Sequence, residues 1–248
     1  MVDNGSADGT PELLLRDYPG ALRLLREPRP GVWHTRNRGI SEAAGDTVAF
    51  IDDDARAEPG WLRRIESVLL ETGAMGAGGP TVPDWESPPP AYILRSQKAL
   101  SYLGVFSLGL ERRRLSGFRD FLIGTNCAFR RRVFDEGHRF RPVPWGRPVG
   151  AEDLEFSRRI ASMYPVVFDP KIVVRHRIPS RKLGLASLAA TAFDYGLKKA
   201  AIRRPFSPRG WEDLWGVDGW ISLFSGAGLA LGTARRALCG EAVSGALG

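Results

Sequence analysis

The stretch Thr47-Val48-Ala49-Phe50-Ile51-Asp52-Asp53-Asp54 decides the class of fold. Its first five residues are apolar or β-branched and predict a buried strand, which three acidic residues follow directly. Helix-like segments flank this strand, one over residues 35–44 and one that begins at Pro59. Such alternation predicts an α/β fold with a mostly parallel sheet and helices on its faces. The glycine-rich residues 76–80 are expected to form a turn.

The acidic triplet Asp52-Asp53-Asp54 is expected at an edge of this sheet where a ligand binds, because ligands of α/β sheets lie beyond the carboxyl ends of strands. Three adjacent carboxylates repel one another unless a cation or a donor-rich ligand is present. Carboxylates two positions apart can converge on one Mg²⁺ or Mn²⁺ ion. A solvated acidic turn or a helix cap explains the triplet equally well.

Two later segments carry further candidate groups. Glu152 and Asp153 stand at the start of a predicted helix, where the helix dipole stabilises acidic side chains whatever their function. The functional interpretation makes one of them a general base that deprotonates an acceptor hydroxyl. His176 follows an apolar strand among basic residues, which favours an edge that faces a phosphate or a metal, although single histidines are more often structural.

Arg36 and Arg38 lie near the start of the helix predicted over residues 35–44. Cationic side chains are unfavourable at this end of a helix dipole, so these arginines need another stabilising partner. A phosphate or the acidic triplet would supply one. Exposed, solvated side chains are the alternative.

Charge separates the two halves of the chain. Residues 1–99 carry 11 Lys and Arg against 15 Asp and Glu, whereas residues 100–248 carry 24 against 13. A basic half suits phosphate-bearing ligands or an anionic membrane surface, although a solvated surface is as good an interpretation. No helix-turn-helix, zinc-finger or aromatic RNA-binding pattern accompanies the charge, so nucleic acid is not expected as a partner.

Together, five segments resemble the family 2 glycosyltransferases, which have the GT-A fold. The segments occur in the order and with the gaps of that family, and they are residues 2–10, 35–46, 48–54, 124–131 and 150–155. The resemblance implies an inverting transfer of a sugar from a nucleotide-diphosphate sugar to a hydroxyl of a saccharide or lipid-linked acceptor. Relatives of this kind are common in bacterial polysaccharide and glycolipid synthesis.

For donor binding, the resemblance implies four residues. Asp3 would contact the base of the nucleotide, and Arg36 would lie near the base and the phosphates. Asp52 or Asp53 would hold the ribose. The nucleotide itself and the sugar depend on loops that carry no pattern we can interpret.

For the reaction, the resemblance implies a metal and a base. Asp54 would bind Mn²⁺ or Mg²⁺ with Asp52 as a further ligand, and His176 would complete the metal or diphosphate site. Asp153 would be the catalytic base, with Glu152 beside it as the second member of the catalytic pair.

The resemblance assigns residues 1–183 to a GT-A catalytic domain and leaves residues 184–248 as a helical C-terminal region. An amphipathic stretch over residues 184–204 and an uncharged run over residues 219–234 suit peripheral contact with a membrane, although packing on the catalytic domain explains them as well. The run is too short and too rich in glycine to span a bilayer. The N-terminus lacks a signal-peptide pattern, and two cysteines cannot form a disulfide framework. We therefore expect a cytoplasmic protein, in peripheral contact with the inner face of the plasma membrane.

The chain departs from the family at its start. Members begin with a strand and a helix before the segment that matches Val2-Asp3, and that first strand lies in the middle of the sheet, between the second and fourth strands. Without it, backbone groups of both neighbouring strands lose their partners. We therefore expect an N-terminally shortened form of a longer protein, with weakened folding and weak or absent activity if the short form is natural. The in-frame DNA upstream of Met1 tests this expectation.

Two other functions stay open at this point. One is a non-catalytic protein that binds nucleotide sugars or polyanions and is inactive because of the missing segment. The other is a different metal-dependent transferase, of phosphoryl or nucleotidyl groups, that uses the same acidic triplet. Sugar turnover with Mn²⁺ or Mg²⁺ separates the first from a glycosyltransferase, and release of a nucleoside diphosphate separates the second.

Overall fold

The computed structural model describes residues 1–116, 120–142 and 152–201. In chain order the strands are β1 (Val2–Asp3), β2 (Leu25–Arg26), β3 (Thr47–Phe50), β4 (Ala55–Ala57), β5 (Gly76–Gly78), β6 (Thr81–Trp85), β7 (Arg113–Arg114), β8 (Cys127–Arg130), β9 (Val166–Phe168) and β10 (Val174–Ile178). The α-helices are α1 (Thr10–Asp17), α2 (Val32–Glu42), α3 (Trp61–Thr72), α4 (Ala91–Leu94), α5 (Gln97–Tyr102), α6 (Arg131–Asp135), α7 (Glu152–Met163) and α8 (Leu185–Ala201).

The chain divides into two compact units. The first comprises Met1–Pro80 and Ser107–Val174, and the second comprises Thr81–Phe106 together with the chain from Arg175 onward. The units therefore change at positions other than the predicted domain boundary after residue 183. That boundary stays a prediction.

A five-stranded sheet forms the centre of the first unit, in the order β3-β8-β5-β9-β7. The pair β5–β9 is parallel and the other three pairs are antiparallel. The predicted α/β class is confirmed, but the sheet is mixed rather than mostly parallel. The reason is that β8 is inserted between β3 and β5 after a long connection that returns the chain in the opposite direction.

Strands β1 and β2 form a separate, parallel two-stranded sheet in which Val2 pairs with Leu25 and Asp3 pairs with Arg26. Within the described part of the chain, β1 and β3 are each paired on one side only. The family resemblance places a further strand between β1 and β3, and this placement stays a prediction.

The turn predicted over residues 76–80 is wrong, because Gly76–Gly78 form β5, the middle strand of the five-stranded sheet. A Cβ atom on Gly76 would lie 2.6 Å from the ring of Phe129, and one on Gly78 would lie 2.5 Å from the carbonyl oxygen of Asn126. Glycine is needed here because neighbouring side chains and backbone approach the strand closely.

Helix α3 covers one face of this sheet, as its apolar spacing predicts. Its residues Trp61, Ile65, Val68 and Leu69 are buried at helical spacing and pack in one cluster with sheet residues such as Ala128. Burial of side chains of this size stabilises the fold by about 1.5–3 kcal/mol each. This packing stabilises the sheet, and the candidate site lies at the ends of its strands.

In its described residues, 81–106 and 175–201, the second unit is mainly helical. Helices α4, α5 and α8 share an apolar cluster that includes Ile93, Leu103 and Leu188, and strands β6 and β10 are neighbours in a sheet. The helix predicted from residue 184 is present as α8, whereas the uncharged run over residues 219–234 lies outside the described residues. None of the helices that the structure describes combines the length and apolar character needed to cross a membrane.

Candidate active site

Arg36 of α2 lies at the centre of a polar group in the first unit. Its Nη1 atom donates a hydrogen bond to Glu152 Oε1 at 2.6 Å, and its Nη2 atom donates one to Asp52 Oδ1 at 3.3 Å. The side chain is only 10% exposed, and its guanidinium lies over the ring of Phe140, 5.4 Å from the ring centre. Two carboxylates that are far apart in the sequence therefore face the same buried cation.

The register of the sheet explains where Asp52 lies. Strands β3 and β8 are antiparallel, with Phe50 opposite Cys127. Continuing this register by two residues brings Asp52 opposite Thr125, whose hydroxyl donates a hydrogen bond to Asp52 Oδ2 at 2.5 Å. Both carboxylate oxygens of Asp52 thus have protein partners, one in α2 and one in the segment before β8.

Asp153, at the start of α7, lies beside Asp52 and Thr125. Its Oδ2 atom accepts a hydrogen bond from the backbone N–H of Gly124, and its Oδ1 atom accepts one from that of Leu154, both at 2.8 Å. Glu152 is buried, whereas Asp153 is partly exposed. Because Gly124 directly precedes Thr125, Asp153 lies next to the residue that binds Asp52, and it is the more accessible member of its pair.

Among the described residues of the site, acidic side chains surround one guanidinium. Burial lowers the pKa of the Arg36 guanidinium, but three nearby carboxylates outweigh this effect and raise the pKa above its ordinary value. The carboxylates belong to Asp153, Glu152 and Asp52. Burial also raises the pKa of the Cys127 thiol, which keeps this side chain neutral and unreactive. In the described part of the chain, one guanidinium thus lies near three carboxylates.

Gly124 provides the space that Arg36 occupies. A Cβ atom on Gly124 would lie 2.1 Å from Arg36 Nη2 and 2.5 Å from Cζ, so no side chain fits between them. Gly124 and Thr125 lie in a segment that carries the family resemblance, but sequence reasoning gave them no role. Phe140 has no sequence signal at all, because only the folded chain brings it beneath the guanidinium.

Asp53 and Asp54 are exposed in the turn between β3 and β4. In the described ranges, no group of three or more His, Cys, Asp or Glu side chains is arranged to hold a metal ion. The exposed carboxylates nevertheless fit a Mg²⁺ or Mn²⁺ ion of the type that takes one or two protein carboxylates and completes its shell with substrate phosphates and water. Asp52, Asp54 and His176 as a set of metal ligands stay a prediction.

Asp3 and His176 lie in other surroundings. Asp3 ends β1, where its carboxylate accepts hydrogen bonds from the backbone N–H groups of Ser6 and Gly5 at 3.1 and 3.2 Å. Hydrogen bonding from Ser6 lowers the pKa of Asp3. His176 lies in β10, where its ring packs against Gly104 of the second unit. The nucleotide role of Asp3 and the metal role of His176 stay predictions.

The sequence segments around this site match a known family. The family model described as "Glycosyl transferase family 2" matches residues 1–137, which is more than half of the chain. The chain belongs to glycosyl transferase family 2. The match includes Arg36, the acidic triplet and the Gly124–Thr125 segment.

Three relatives of this family 2 member show how far the similarity extends. Glycosyltransferase AglE of Haloferax volcanii is 35% identical over 82 residues, which are 32% of this chain and 27% of that protein. A glucosyl-dolichyl phosphate glucuronosyltransferase of the same organism is 32% identical over 127 residues, or 48% of this chain and 37% of that protein. Succinoglycan biosynthesis protein ExoM of Rhizobium meliloti is 27% identical over 192 residues, or 77% and 59%. The chain thus spans less than two thirds of each relative.

Solved structures show the same fold. TarS 1–349 of S. aureus in complex with UDP-GlcNAc superposes with a TM-score of 0.53 and 13% identity, over 98% of this chain and 66% of that one. GalNAc-T7 with UDP, GalNAc and Mn²⁺ gives a TM-score of 0.52 and 15% identity, over 84% and 45%. At these identities the likeness is one of fold, and it confirms the predicted GT-A fold.

Proposed function

We propose that the chain transfers a sugar from a nucleotide-diphosphate sugar to a hydroxyl acceptor, with inversion at the anomeric carbon. The observation that carries this proposal is the meeting of two motifs at Arg36, because Asp52 and Glu152 bind the same guanidinium and Asp153 lies beside them. Membership of family 2 supports sugar transfer as the reaction class. The complexes of TarS with UDP-GlcNAc and of GalNAc-T7 with UDP support a nucleotide-sugar donor.

Asp153 is the proposed general base. It is partly exposed, and two backbone N–H donors hold its carboxylate in one orientation. The carboxylate takes the proton of the acceptor hydroxyl while the hydroxyl oxygen forms a bond to the anomeric carbon. The bond from that carbon to the diphosphate breaks at the same time, and the nucleoside diphosphate leaves with the electron pair. One displacement inverts the anomeric centre, and no covalent enzyme intermediate is involved.

Donor binding completes the proposal. As the family resemblance implies, Asp3 would contact the base of the nucleotide, and Asp52 or Asp53 would hold the ribose. Arg36 would lie near the base and the phosphates. Asp54, exposed after β3, would hold Mn²⁺ or Mg²⁺, with Asp52 and His176 as the further ligands. When bound, such an ion stabilises the negative charge of a departing diphosphate. The presence of Mn²⁺ in the GalNAc-T7 structure supports the choice of metal.

The acceptor class is the least constrained part of the proposal. The printed names of two relatives, a glucosyl-dolichyl phosphate glucuronosyltransferase and a succinoglycan biosynthesis protein, support a lipid-linked or polysaccharide acceptor. We place such a reaction in bacterial cell-envelope polysaccharide synthesis, in the cytoplasm and in peripheral contact with the membrane.

A donor panel tests the proposal. The protein is incubated with UDP-, GDP- and dTDP-sugars, saccharide and lipid-phosphate acceptors and Mn²⁺, and nucleoside diphosphate release is measured with and without EDTA. We expect release from at least one donor, loss of release with EDTA, and a loss of about 10²–10⁴-fold in Asp153→Asn. Binding of the nucleoside diphosphate should survive in that variant.

Asp135→Asn is the matched control, because Asp135 is an exposed aspartate of α6 outside the site. It should keep the rate of the unaltered chain. Equal rates in Asp153→Asn and the unaltered chain would refute the assignment of the base. Release of pyrophosphate or a nucleoside monophosphate would instead indicate a different transferase, and donor binding without any turnover would indicate a binding protein.

A further inference from the structure

We infer that Glu152 is a positioning residue that acts through Arg36, and that Asp153 is the member of the pair that meets the acceptor. Gly124 also positions Arg36, because the absence of a side chain leaves the space that the guanidinium occupies. This inference rests on the proposed function and assigns different roles to Glu152 and Asp153 within its site. It also revises the catalytic role that the family resemblance implies for Glu152.

Burial keeps Glu152 away from substrate. Its side chain lies on the inward face of α7, on which Phe156, Ser157 and Ile160 are also buried. Its Oε1 atom accepts the 2.6 Å hydrogen bond from Arg36, which is the shorter of the two described for that guanidinium. Asp153 points elsewhere, toward the N–H of Gly124, and is partly exposed. A diffusing hydroxyl can reach the second carboxylate but not the first.

Rigid neighbours enclose Arg36. The ring of Phe140 lies beneath the guanidinium, and this ring stacks on Phe156 with 4.2 Å between the ring centres. Gly124 closes another side without a side chain. A cation enclosed in this way can hold the carboxylate of Asp52 in a defined position, and Asp52 follows the strand that ends in the acidic triplet.

Charge explains why Glu152 is needed. Of the three carboxylates that act on Arg36, Asp153 has the largest electrostatic effect, although Glu152 makes the short hydrogen bond. Without the charge of Glu152, the guanidinium is drawn toward Asp153 and Asp52. Glu152 therefore holds the guanidinium in the position from which it binds Asp52.

A double-mutant cycle tests the inference. Glu152→Gln and Arg36→Met are made singly and together, and kcat for nucleoside diphosphate release is measured. Because misplacement of about 1 Å in an active site can cost about 10²-fold, we expect each single variant to lose about 10²-fold. The kcat of the double variant should be no lower than that of the less active single variant, since both changes disrupt the same ion pair. Multiplicative losses would overturn the inference.

The pH profile of kcat separates positioning from catalysis. If Asp153 is the base, the fall in rate on the acid side should persist in Glu152→Gln and disappear in Asp153→Asn, which retains only a residual rate. The reverse pattern would make Glu152 the base and overturn the inference. An acid-side fall that persists in both variants would also overturn the inference, because Asp153 would then not be the base.

Gly124→Ala offers an independent test with a matched control. The added Cβ should displace Arg36 and reproduce the loss seen in Glu152→Gln, whereas Gly184→Ala should retain full activity because nothing lies within 4 Å of a Cβ there. In the Arg36→Met background, Gly124→Ala should cause little further loss. An equal loss in both backgrounds would overturn the inference.

The proposed function can fail separately. If the unaltered chain releases nucleoside diphosphate from no donor, it is the glycosyltransferase proposal that fails. The same cycle of Arg36 and Glu152 is then measured by thermal unfolding, together with binding of UDP. Non-additive shifts in both measurements would keep the positioning role, and additive shifts would overturn it.

Discussion

Two ion-pair networks in the first unit use the same kinds of side chain but differ in balance. The buried Asp169 accepts hydrogen bonds from Arg64 and Arg112, and Arg112 also binds Glu71. Two acids thus face two guanidinium groups, and the charges cancel. Around Arg36, one guanidinium faces three carboxylates. Among the residues that the structure describes, the first network is balanced, whereas the second has more acidic than basic side chains, as is typical of functional sites.

A glycine lies next to each network, and the two glycines differ in what an added Cβ atom would contact. A Cβ on Gly79 would lie 2.1 Å from the carbonyl oxygen of Ile172 and 2.6 Å from that of Asp169, which are backbone atoms. A Cβ on Gly124 would meet the end of the Arg36 side chain. Backbone cannot move without disturbing the fold, whereas the end of a side chain can. The first glycine preserves the structure, and the second preserves the position of one charged group.

The largest expected difference between the networks is in turnover. Arg36→Met should lower kcat by about 10²-fold or more, because the carboxylates around it lose the cation that positions them. Arg112→Met, in the balanced network, should stay within a factor of about three of the unaltered chain, since distant structural changes leave site geometry intact. Initial rates of nucleoside diphosphate release measure both. Equal losses would mean that the two networks do not differ in function.

The two glycines should differ in stability. Gly79→Ala should lower the free energy of unfolding by about 3 kcal/mol, because overpacking against backbone forces the chain to shift. Gly124→Ala should lower it by less, about 1–2 kcal/mol, since the end of the Arg36 side chain can shift but its hydrogen bond to the buried Glu152 is weakened. Urea denaturation followed by circular dichroism gives both values. A larger loss for Gly124→Ala would contradict the comparison.

Removal of one acid should cost more stability in the first network than in the second. Asp169→Asn should lower the free energy of unfolding by about 2 kcal/mol, because hydrogen bonds to charged groups are lost and two guanidinium groups lose their partner. Arg64 and Arg112 are 28% and 32% exposed, so solvent screening holds the loss below that of a fully buried pair. Asp153→Asn should lower the free energy of unfolding by less, about 1 kcal/mol, since the amide oxygen can still accept one of the two backbone hydrogen bonds. Chemical denaturation of both variants decides.

The smallest expected effect is a pH dependence away from both networks. Hydrogen bonds from the Arg29 side chain and backbone lower the pKa of Glu27 from 4.5 to about 2. Because the pKa is lower in the folded chain, the ionised carboxylate stabilises the fold above pH 4.5, and this stabilisation is lost as the pH falls from 4.5 toward 2. Glu27→Gln should therefore melt at a lower temperature than the unaltered chain at pH 7, with a difference that shrinks below pH 4.5. Thermal melts between pH 2 and 7 measure it, with the exposed Glu12→Gln as control. A difference that does not change with pH would contradict the role of the charge.

Much of the candidate site could be predicted from the sequence. Arg36 lies in the first half of α2, where a cation needs a negatively charged partner. The sequence offers the acidic triplet as one candidate, and in the structure Asp52 binds Arg36 together with Glu152. The strand β5 could not be predicted, because glycine-rich segments usually form turns. The need for glycine there comes from Phe129 and Asn126 of the adjacent segment, which local patterns do not reveal.

Local patterns in the chain were enough to identify a buried strand that ends in acids, a helix that begins with Glu152-Asp153, and the family to which they belong. These features depend on residues close together in the sequence, where period and dipole act directly. Only the folded chain decided that Asp52 and Glu152 share one guanidinium, that Gly124 makes room for it, and that Asp153 stays accessible. Those facts depend on the register of β3 with β8 and on packing between distant segments, which no local period encodes.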